Sequence, residues 1–312
     1  MKVGIIGAGS IAGTMAGTIR EMDCAQNYAV AARDYGRAAE FAQTYGFEKA
    51  YGSYEELVED AGVELVYIAT PHSHHYEHIK LCLNHGKHVL CEKSFTVNES
   101  QAREVLALAR EKKLLLTEAI WTRYMPMRKT LDSVLSSGVI GRPYMLTANL
   151  GYIISGKERI MRPELAGGAL LDVGIYPLNF ASMVFGDEVD SITGTAVMTE
   201  TGVDAQNSIT ITYKDGKMAA LCSSAMGLSD RRGIIYGDNG FIEVENINNC
   251  EGIRVYDRSR NMIASYDTPK QISGYEYEVE ACLRAIKEGA LECPEMPHEE
   301  TLRMMGWMDA LR

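Results

Sequence analysis

The chain has 312 residues, of which 46% are hydrophobic and 23% charged, with a formal net charge of −11. That length suits two domains and a sizeable core. The acidic balance argues against a broad surface for nucleic acid or anionic membrane, so neither is expected as a partner. Cys24, Cys82, Cys91, Cys222, Cys250, Cys282 and Cys293 form no C-x-x-C pair, which predicts buried thiols in a reducing, cytoplasmic setting. The opening apolar run ends in a glycine turn, unlike a signal peptide. Gly167–Gly186 comes closest to a membrane-spanning run, and Asp172 interrupts it.

In chain order, Val3–Ala12 (VGIIGAGSIA) comes first. Gly7, Gly9 and Ala12 spell G-x-G-x-x-A between a predicted strand and a predicted helix. Gly7 allows the tight turn, Gly9 lets the backbone approach a pyrophosphate, and Ala12 lets the helix pack on the strand. A helix starting near Ser10 aims its free N–H groups at that pyrophosphate, so Ala8, Ser10 and Ile11 join the candidate contacts.

Strands are predicted at Lys2–Gly7, Tyr28–Arg33, Lys49–Tyr51, Leu65–Thr70, His88–Glu92 and Leu114–Glu118. Most are continuous apolar runs, as parallel strands covered on both faces require. Helical patterns lie between them at Ile11–Met22, Arg37–Tyr45, Ser53–Asp60, Ser73–Asn84 and Asn98–Glu111. Ser53 with Glu56 reads as a capping box and Asn98 as a cap. Alternating strand and helix predicts an α/β, doubly wound parallel sheet, with ligands at the carboxyl ends of its strands. Gly7, Arg33, Thr70 and Glu92 fall at those ends.

After Glu118 the pattern changes. A helix is predicted over Trp121–Ser137, a strand over Arg142–Tyr152, and a second helical stretch over Gly168–Val184, broken or kinked at Pro177. From Asp190 to about Tyr266 apolar and polar residues alternate between turns, predicting an antiparallel meander with one open face. Helices near Tyr275–Glu288 and Glu299–Leu311 follow. The expected division is a dinucleotide-binding domain over 1–119 and an α+β domain over 120–312, with a ligand site in the cleft between them.

Arg33, Asp34 and Arg37 follow the second strand. Arg33 stands where a guanidinium stacks on adenine and pairs with a 2′-phosphate, and Arg37 reaches the same phosphate. Asp34 dissents: an acidic side chain facing the ribose favours NAD. A surface Arg–Asp pair is the bland alternative. His72, His74, His75 and His78 lie within seven residues and suggest a metal, yet no carboxylate motif accompanies them, and no metal site is expected.

Taken together, GIIGAGSIA, AARDYGRAAEFAQTYG, KAYGSYEEL, ATPHSHH, GKHVLCEKS, EAIWTRY and GGALLDVGIY resemble the glucose–fructose oxidoreductase / inositol dehydrogenase / rhizopine-catabolism superfamily along essentially the whole chain. The branch most similar is that of the dimeric dihydrodiol dehydrogenases and NADP-dependent sugar dehydrogenases. The resemblance implies a Rossmann domain followed by an α+β domain on a large, mostly antiparallel, open-faced sheet. It implies that Lys93 of CEKS stands by the reacting carbon, although Ser94 replaces the usual proline. It also implies that Tyr176, where many members carry histidine, is the acid/base, with Asp172 orienting Lys93 or a substrate hydroxyl. Thr70, Pro71 and His75 match the loop lining ribose and pyrophosphate, His72 replaces its asparagine, and Glu92 ends the next strand. Gly167 and Gly168 would permit close approach of a ligand or cofactor. Trp121 and Arg123 would border nicotinamide or substrate, and Arg159, Arg162 and Asn179 are candidate substrate contacts.

The expected function is NADP-dependent (NAD possible) hydride transfer between nicotinamide and a secondary alcohol or hemiacetal carbon of a small sugar, polyol or dihydrodiol. The alternatives are a non-catalytic dinucleotide-binding sensor and an NAD-dependent inositol-type dehydrogenase. A homodimer through the Asp190–Tyr266 sheet, or a dimer of dimers, is expected.

Overall fold

Six short strands pair in parallel in the order β3-β2-β1-β4-β5-β6. They are β1 (Lys2–Ile6), β2 (Gln26–Ala31), β3 (Lys49–Tyr51), β4 (Leu65–Ile68), β5 (His88–Glu92) and β6 (Leu116–Ala119). The computed structural model describes residues 1–312, and all of β4 and Val89–Cys91 of β5 are inaccessible to solvent. Five helices connect these strands: α1 (Ser10–Arg20), α2 (Tyr35–Tyr45), α3 (Tyr54–Glu59), α4 (His72–Asn84) and α5 (Glu99–Lys112). The caps follow local chemistry. Ser53 and Glu56 form the reciprocal capping box, and Asn98 accepts the Gln101 N–H at 2.9 Å. Strand order reverses between β1 and β4, which opens a crevice at the carboxyl ends of the strands. Tyr67 and Phe95 are fully buried around this sheet, each contributing about 1.5–3 kcal/mol.

The chain divides into two units, Met1–Tyr124 with Gln271–Met305, and Met125–Lys270 with Gly306–Arg312. The two C-terminal helical segments, expected with the second domain, are therefore shared out differently. Helix α9 (Glu276–Glu288) and most of α10 (His298–Ala310) belong to the first unit. The reason is the sheet edge. β6 has no strand beyond it; its Leu116 N–H donates to the Leu291 carbonyl at 3.1 Å, and His298 Nε2 lies 2.9 Å from the Leu116 carbonyl. The C-terminal segment covers an edge that would otherwise be open.

The helix predicted over Trp121–Ser137 is two elements, a 3₁₀ turn at Trp121–Arg123 and α6 (Pro126–Ser136). Pro126 restricts Met125 to an extended conformation, so the helix starts afresh at the proline.

In the second unit, β7 (Pro143–Gly151), the short α7 (Glu158–Met161) and the Leu170–Phe185 helix precede seven further strands. These are β8 (Val189–Met198), β9 (Asp204–Tyr213), β10 (Met218–Ser224), β11 (Gly233–Gly237), β12 (Gly240–Glu245), β13 (Gly252–Asp257) and β14 (Met262–Asp267). The sheet order is β14-β13-β12-β11-β7-β10-β9-β8. The expected meander is thus interrupted, because β7 inserts between β10 and β11 and runs parallel to β10. Leu146, Leu150, Ile209, Ile211, Leu221 and Ile235 are buried on the helix-covered face. The opposite face carries Thr147, Asn149, Thr195, Ser208, Thr210, Ala220 and Cys222 in register and is largely exposed.

The irregularity in the Leu170–Phe185 helix is not at Pro177. It is a π turn over Leu170–Gly174, after which α8 (Ile175–Phe185) begins. Pro177 therefore lies in the first turn of α8, and the wider preceding turn leaves room for its ring. The helical stretch Pro163–Phe185 is long and apolar enough to cross a membrane by composition, and it is mostly buried inside the fold.

Candidate active site

Gly7 has φ +106°, and a Cβ there would lie 2.8 Å from the Ala69 carbonyl oxygen, so the turn itself demands glycine. Gly9 differs: a Cβ there would meet nothing within 4 Å. It is the N-cap of α1 and has no side chain to bond the first-turn N–H groups, which belong to Ser10, Ile11 and Ala12. Ala12 is fully buried against the sheet. Open space over a glycine at the N-terminus of an uncapped helix, with Ala8 and Ser10 alongside, suits the pyrophosphate of a dinucleotide. The residues present fit such a group.

At the end of β2, Asp34 caps the helix that follows. Its Oδ1 accepts the Arg37 N–H at 2.8 Å as the N-cap of α2. Arg33 and Arg37 are exposed, and Arg37 Nη2 lies 3.4 Å from the Ala8 carbonyl, bringing its guanidinium back over the glycine turn. Nearby, His78 packs edge-on to Tyr54 with centroids 4.7 Å apart, and its Nδ1 lies 3.0 Å from Thr70 Oγ1. Burial, then the neighbouring His74 and His75, bring the His78 imidazole down to about 4.

The histidine loop departs from expectation. His75 is fully buried, with Nε2 2.8 Å from the Thr70 carbonyl and Nδ1 2.9 Å from the Ser94 carbonyl. Its ring lies between the end of β4 and the segment after β5, where the neutral imidazole donates to one of the two carbonyls, and it has no surface left for a cofactor. Burial pushes it down to about 4. His72 is buried and packs edge-on to His75, and Pro71 starts α4 as its N-cap. No group of three or more His, Cys, Asp or Glu side chains is arranged to hold a metal ion.

Lys93 follows β5 and is half-buried, and its peptide bond to Ser94 is cis. Its N–H donates to Glu92 Oε2 at 3.2 Å, while the Tyr67 hydroxyl donates to Glu92 Oε1. The Glu92 carboxylate is thus engaged in holding the strand end. Trp121 lies flat on Tyr275, with centroids 4.2 Å apart. Arg123, expected to border the ligand, is 7% exposed and paired with Glu300, which also binds Arg303. A guanidinium buried in that pair is held by the protein itself.

In the second unit, Asp172 sits in the π turn, is 4% exposed, and accepts Arg159 Nη1 at 2.7 Å. Tyr176 follows in the first turn of α8 and is also buried. Single π turns inside helices are frequent at functional sites. One expected substrate contact, Asn179, is enclosed by the protein, and Arg162 lies at the surface. Asn179 is fully buried and donates to the Ile175 carbonyl at 2.9 Å, and Arg162 is exposed between Glu158 and Glu164. Gly167 and Gly168 are required by the protein's own packing, since Cβ atoms there would lie 2.4 Å from the Ile160 carbonyl and 2.1 Å from Asp204 Oδ1. Asp204, which sequence reasoning missed, accepts the Leu170 N–H at 2.6 Å and holds the start of this helix. Glu118 and Tyr67 were missed too; Glu118 lies inside the EAIWTRY motif, which was its only signal.

Residues 1–120 match the oxidoreductase family with an NAD-binding Rossmann fold, and residues 129–243 match the GFO/IDH/MocA C-terminal domain. The human trans-1,2-dihydrobenzene-1,2-diol dehydrogenase is 35% identical over 321 residues, covering 100% of this chain and 96% of that protein. The Xenopus tropicalis enzyme of the same name is 33% identical over 316 residues, covering 99% and 96%. Among solved structures, a 3-ketoreductase from Actinomadura kijaniata in complex with NADP and TDP-benzene superposes with a TM-score of 0.92 at 25% identity, covering 100% of this chain and 97% of that one. The aldose-aldose oxidoreductase of Caulobacter crescentus, complexed with glycerol, shares the fold at a TM-score of 0.89 and 19% identity, covering 99% and 96%. The chain belongs to the GFO/IDH/MocA family of oxidoreductases.

Proposed function

We propose that this oxidoreductase uses NADP to interconvert a secondary alcohol or hemiacetal with its carbonyl form in a small sugar, polyol or dihydrodiol. The observation that carries the cofactor choice is the Asp34 carboxylate bonded to the Arg37 N–H. With the acid occupied as a helix cap, the Arg33 and Arg37 guanidiniums are left to face a 2′-phosphate. When bound, the nicotinamide supplies or accepts the hydride at its C4. Gly7, Ala8, Gly9, Ser10 and Ile11 hold the pyrophosphate, with Thr70 and Pro71 at the neighbouring strand end.

The remaining chemistry is a proton transfer. In the reducing direction the Tyr176 hydroxyl gives its proton to the carbonyl oxygen, and in the oxidising direction the phenolate takes the proton of the alcohol. An unperturbed tyrosine titrates near about 10. The Lys93 ammonium, at the carboxyl end of β5, is suited to stabilising negative charge on a substrate oxygen. Asp172, fixed by Arg159, orients a substrate hydroxyl. Intact Lys93, Asp172 and Tyr176 favour an enzyme over a sensor, and tyrosine at 176 favours this branch over an NAD-linked inositol-type dehydrogenase.

The protein acts as a homodimer joined through the open sheet face, and it works in the cytoplasm, consistent with all seven cysteines being free thiols. The test is NADPH oxidation against a panel of sugars, inosose-like ketones and dicarbonyls, with NADP reduction by trans-dihydrodiols. Turnover of one class supports the reading; tight NADPH binding with no turnover of any class favours the sensor.

A further inference from the structure

The segment carrying Lys93 is held along its buried backbone. Ser94, Phe95 and Thr96 are all inaccessible to solvent, so their peptide groups need protein partners. On one side the Ser94 carbonyl faces His75 Nδ1. On the other, the Phe95 N–H donates to Glu118 Oε1 at 3.2 Å across from β6.

Glu118 is 1% exposed on the edge strand β6, where Leu116 and Ala119 beside it are buried and apolar. A carboxylate there is costly unless it does something an apolar side chain cannot. Burial pushes its carboxyl up to about 7, against the pull of the Thr301 hydroxyl and the Phe95 N–H. Arg123 and Glu92 are the charged groups around it, and they act in opposite directions. No part of the dinucleotide cradle uses this residue. What it does touch is the peptide two residues beyond Lys93.

We propose that Glu118 is a positioning residue for Lys93. Its carboxylate on the Phe95 N–H, opposed by His75 on the Ser94 carbonyl, fixes the backbone that aims the lysine. A proline after the lysine would restrain φ by its ring, and Ser94 has no such ring. Here the restraint comes from side chains on the two flanking elements. The proposal rests on the reading that Lys93 acts on the substrate oxygen.

The test compares Lys93→Ala, Glu118→Ala, Glu118→Met and Glu118→Gln. Three quantities are measured: kcat with the fastest panel substrate, NADPH affinity by fluorescence quenching, and the rate of trace acetylation of Lys93 in the dinucleotide-free protein, read by peptide mass spectrometry. Glu118→Met keeps the volume and drops the acceptor, and it replaces Glu118→Ala if that variant does not fold. Removing the acceptor is expected to lower kcat about 10²-fold, the usual scale for a displaced catalytic group, with NADPH affinity within about threefold and Lys93 acetylation altered. Glu118→Gln retains an oxygen for the same N–H and is expected to restore kcat to within about threefold of wild type. If Glu118→Ala or Glu118→Met keeps wild-type kcat while Lys93→Ala is inactive, positioning is overturned and the catalytic reading stands. If Lys93→Ala itself remains active, the catalytic reading fails. Lys93 acetylation then decides alone, and an unchanged rate in the acceptor-free variant overturns positioning.

Discussion

Asp34 accepts the backbone N–H of Arg37 at 2.8 Å, which directs one carboxylate oxygen to the start of α2 and leaves the Arg33 and Arg37 side chains exposed beside it. NADP is therefore predicted to exceed NAD in kcat/KM, and Arg33→Ala to lose most of that preference. A charge-assisted contact is worth about 1.5–3 kcal/mol, or roughly 10- to 100-fold. A wild-type preference for NAD would contradict the assignment.

The space over Gly9 gives a second prediction. Since a Cβ there meets no protein atom within 4 Å, Gly9→Ala should leave the unfolding temperature nearly unchanged. NADPH affinity should drop at least about tenfold, because the methyl occupies the pyrophosphate's approach. Gly7→Ala, by contrast, should destabilise the fold, as its Cβ would press on the Ala69 carbonyl at φ +106°. Calorimetry and a binding titration on the two variants separate these effects; unchanged affinity in Gly9→Ala would exclude the cradle.

His75 predicts an acid effect. Its folded pKa is brought down to about 4 by burial, below the ordinary value of about 6.5. The unfolded chain then binds more protons in that window, so this contribution is intact above about 6.5 and is lost as pH falls toward 4. The slope approaches about 1.4 kcal/mol per pH unit. Glu118, raised to about 7, works in the opposite sense, so the comparison is with His75→Gln. The wild type's stability relative to this variant should shrink between pH 6.5 and 4 in urea titrations. A constant difference would show that His75 does not titrate this way.

The open sheet face predicts assembly. Met145, Met218, Val197 and Cys222 are exposed on it, and Val197 and Cys222 line a cavity of about 470 Å³ together with Asn149, Thr195, Gln206 and Ser208 among others. Light scattering should give a dimer at micromolar protein, and Cys222→Arg, which puts a charge in the middle of the face, should give a monomer. A monomeric wild type would contradict the proposed interface.

Features governed by neighbours in sequence were legible without coordinates. The glycine turn, the continuous apolar strands β4 and β5, and the Ser53–Glu56 capping box are all set within a few residues. Features set by distant partners were not. Nothing local in β7 reports that it inserts between β10 and β11. The Arg123 side chain reads as a site residue until Glu300, 177 positions away, is seen to hold it. Gly167 and Gly168 read as ligand-facing because glycine permits any close approach, and only the fold shows that Ile160 and Asp204 are the neighbours. The same applies at Pro177, where the preceding π turn absorbs the irregularity that the proline alone had predicted.

The central claim is that Tyr176 moves the substrate's proton, and Tyr176→Phe tests it most directly. Its hydroxyl is the only group removed, so NADPH affinity measured by quenching should stay within about twofold, while kcat on the wild type's best substrate falls by roughly 10²–10⁴, the usual worth of a positioned acid/base. A Tyr176→Phe enzyme that binds NADPH normally and turns over at near the wild-type rate would contradict the account.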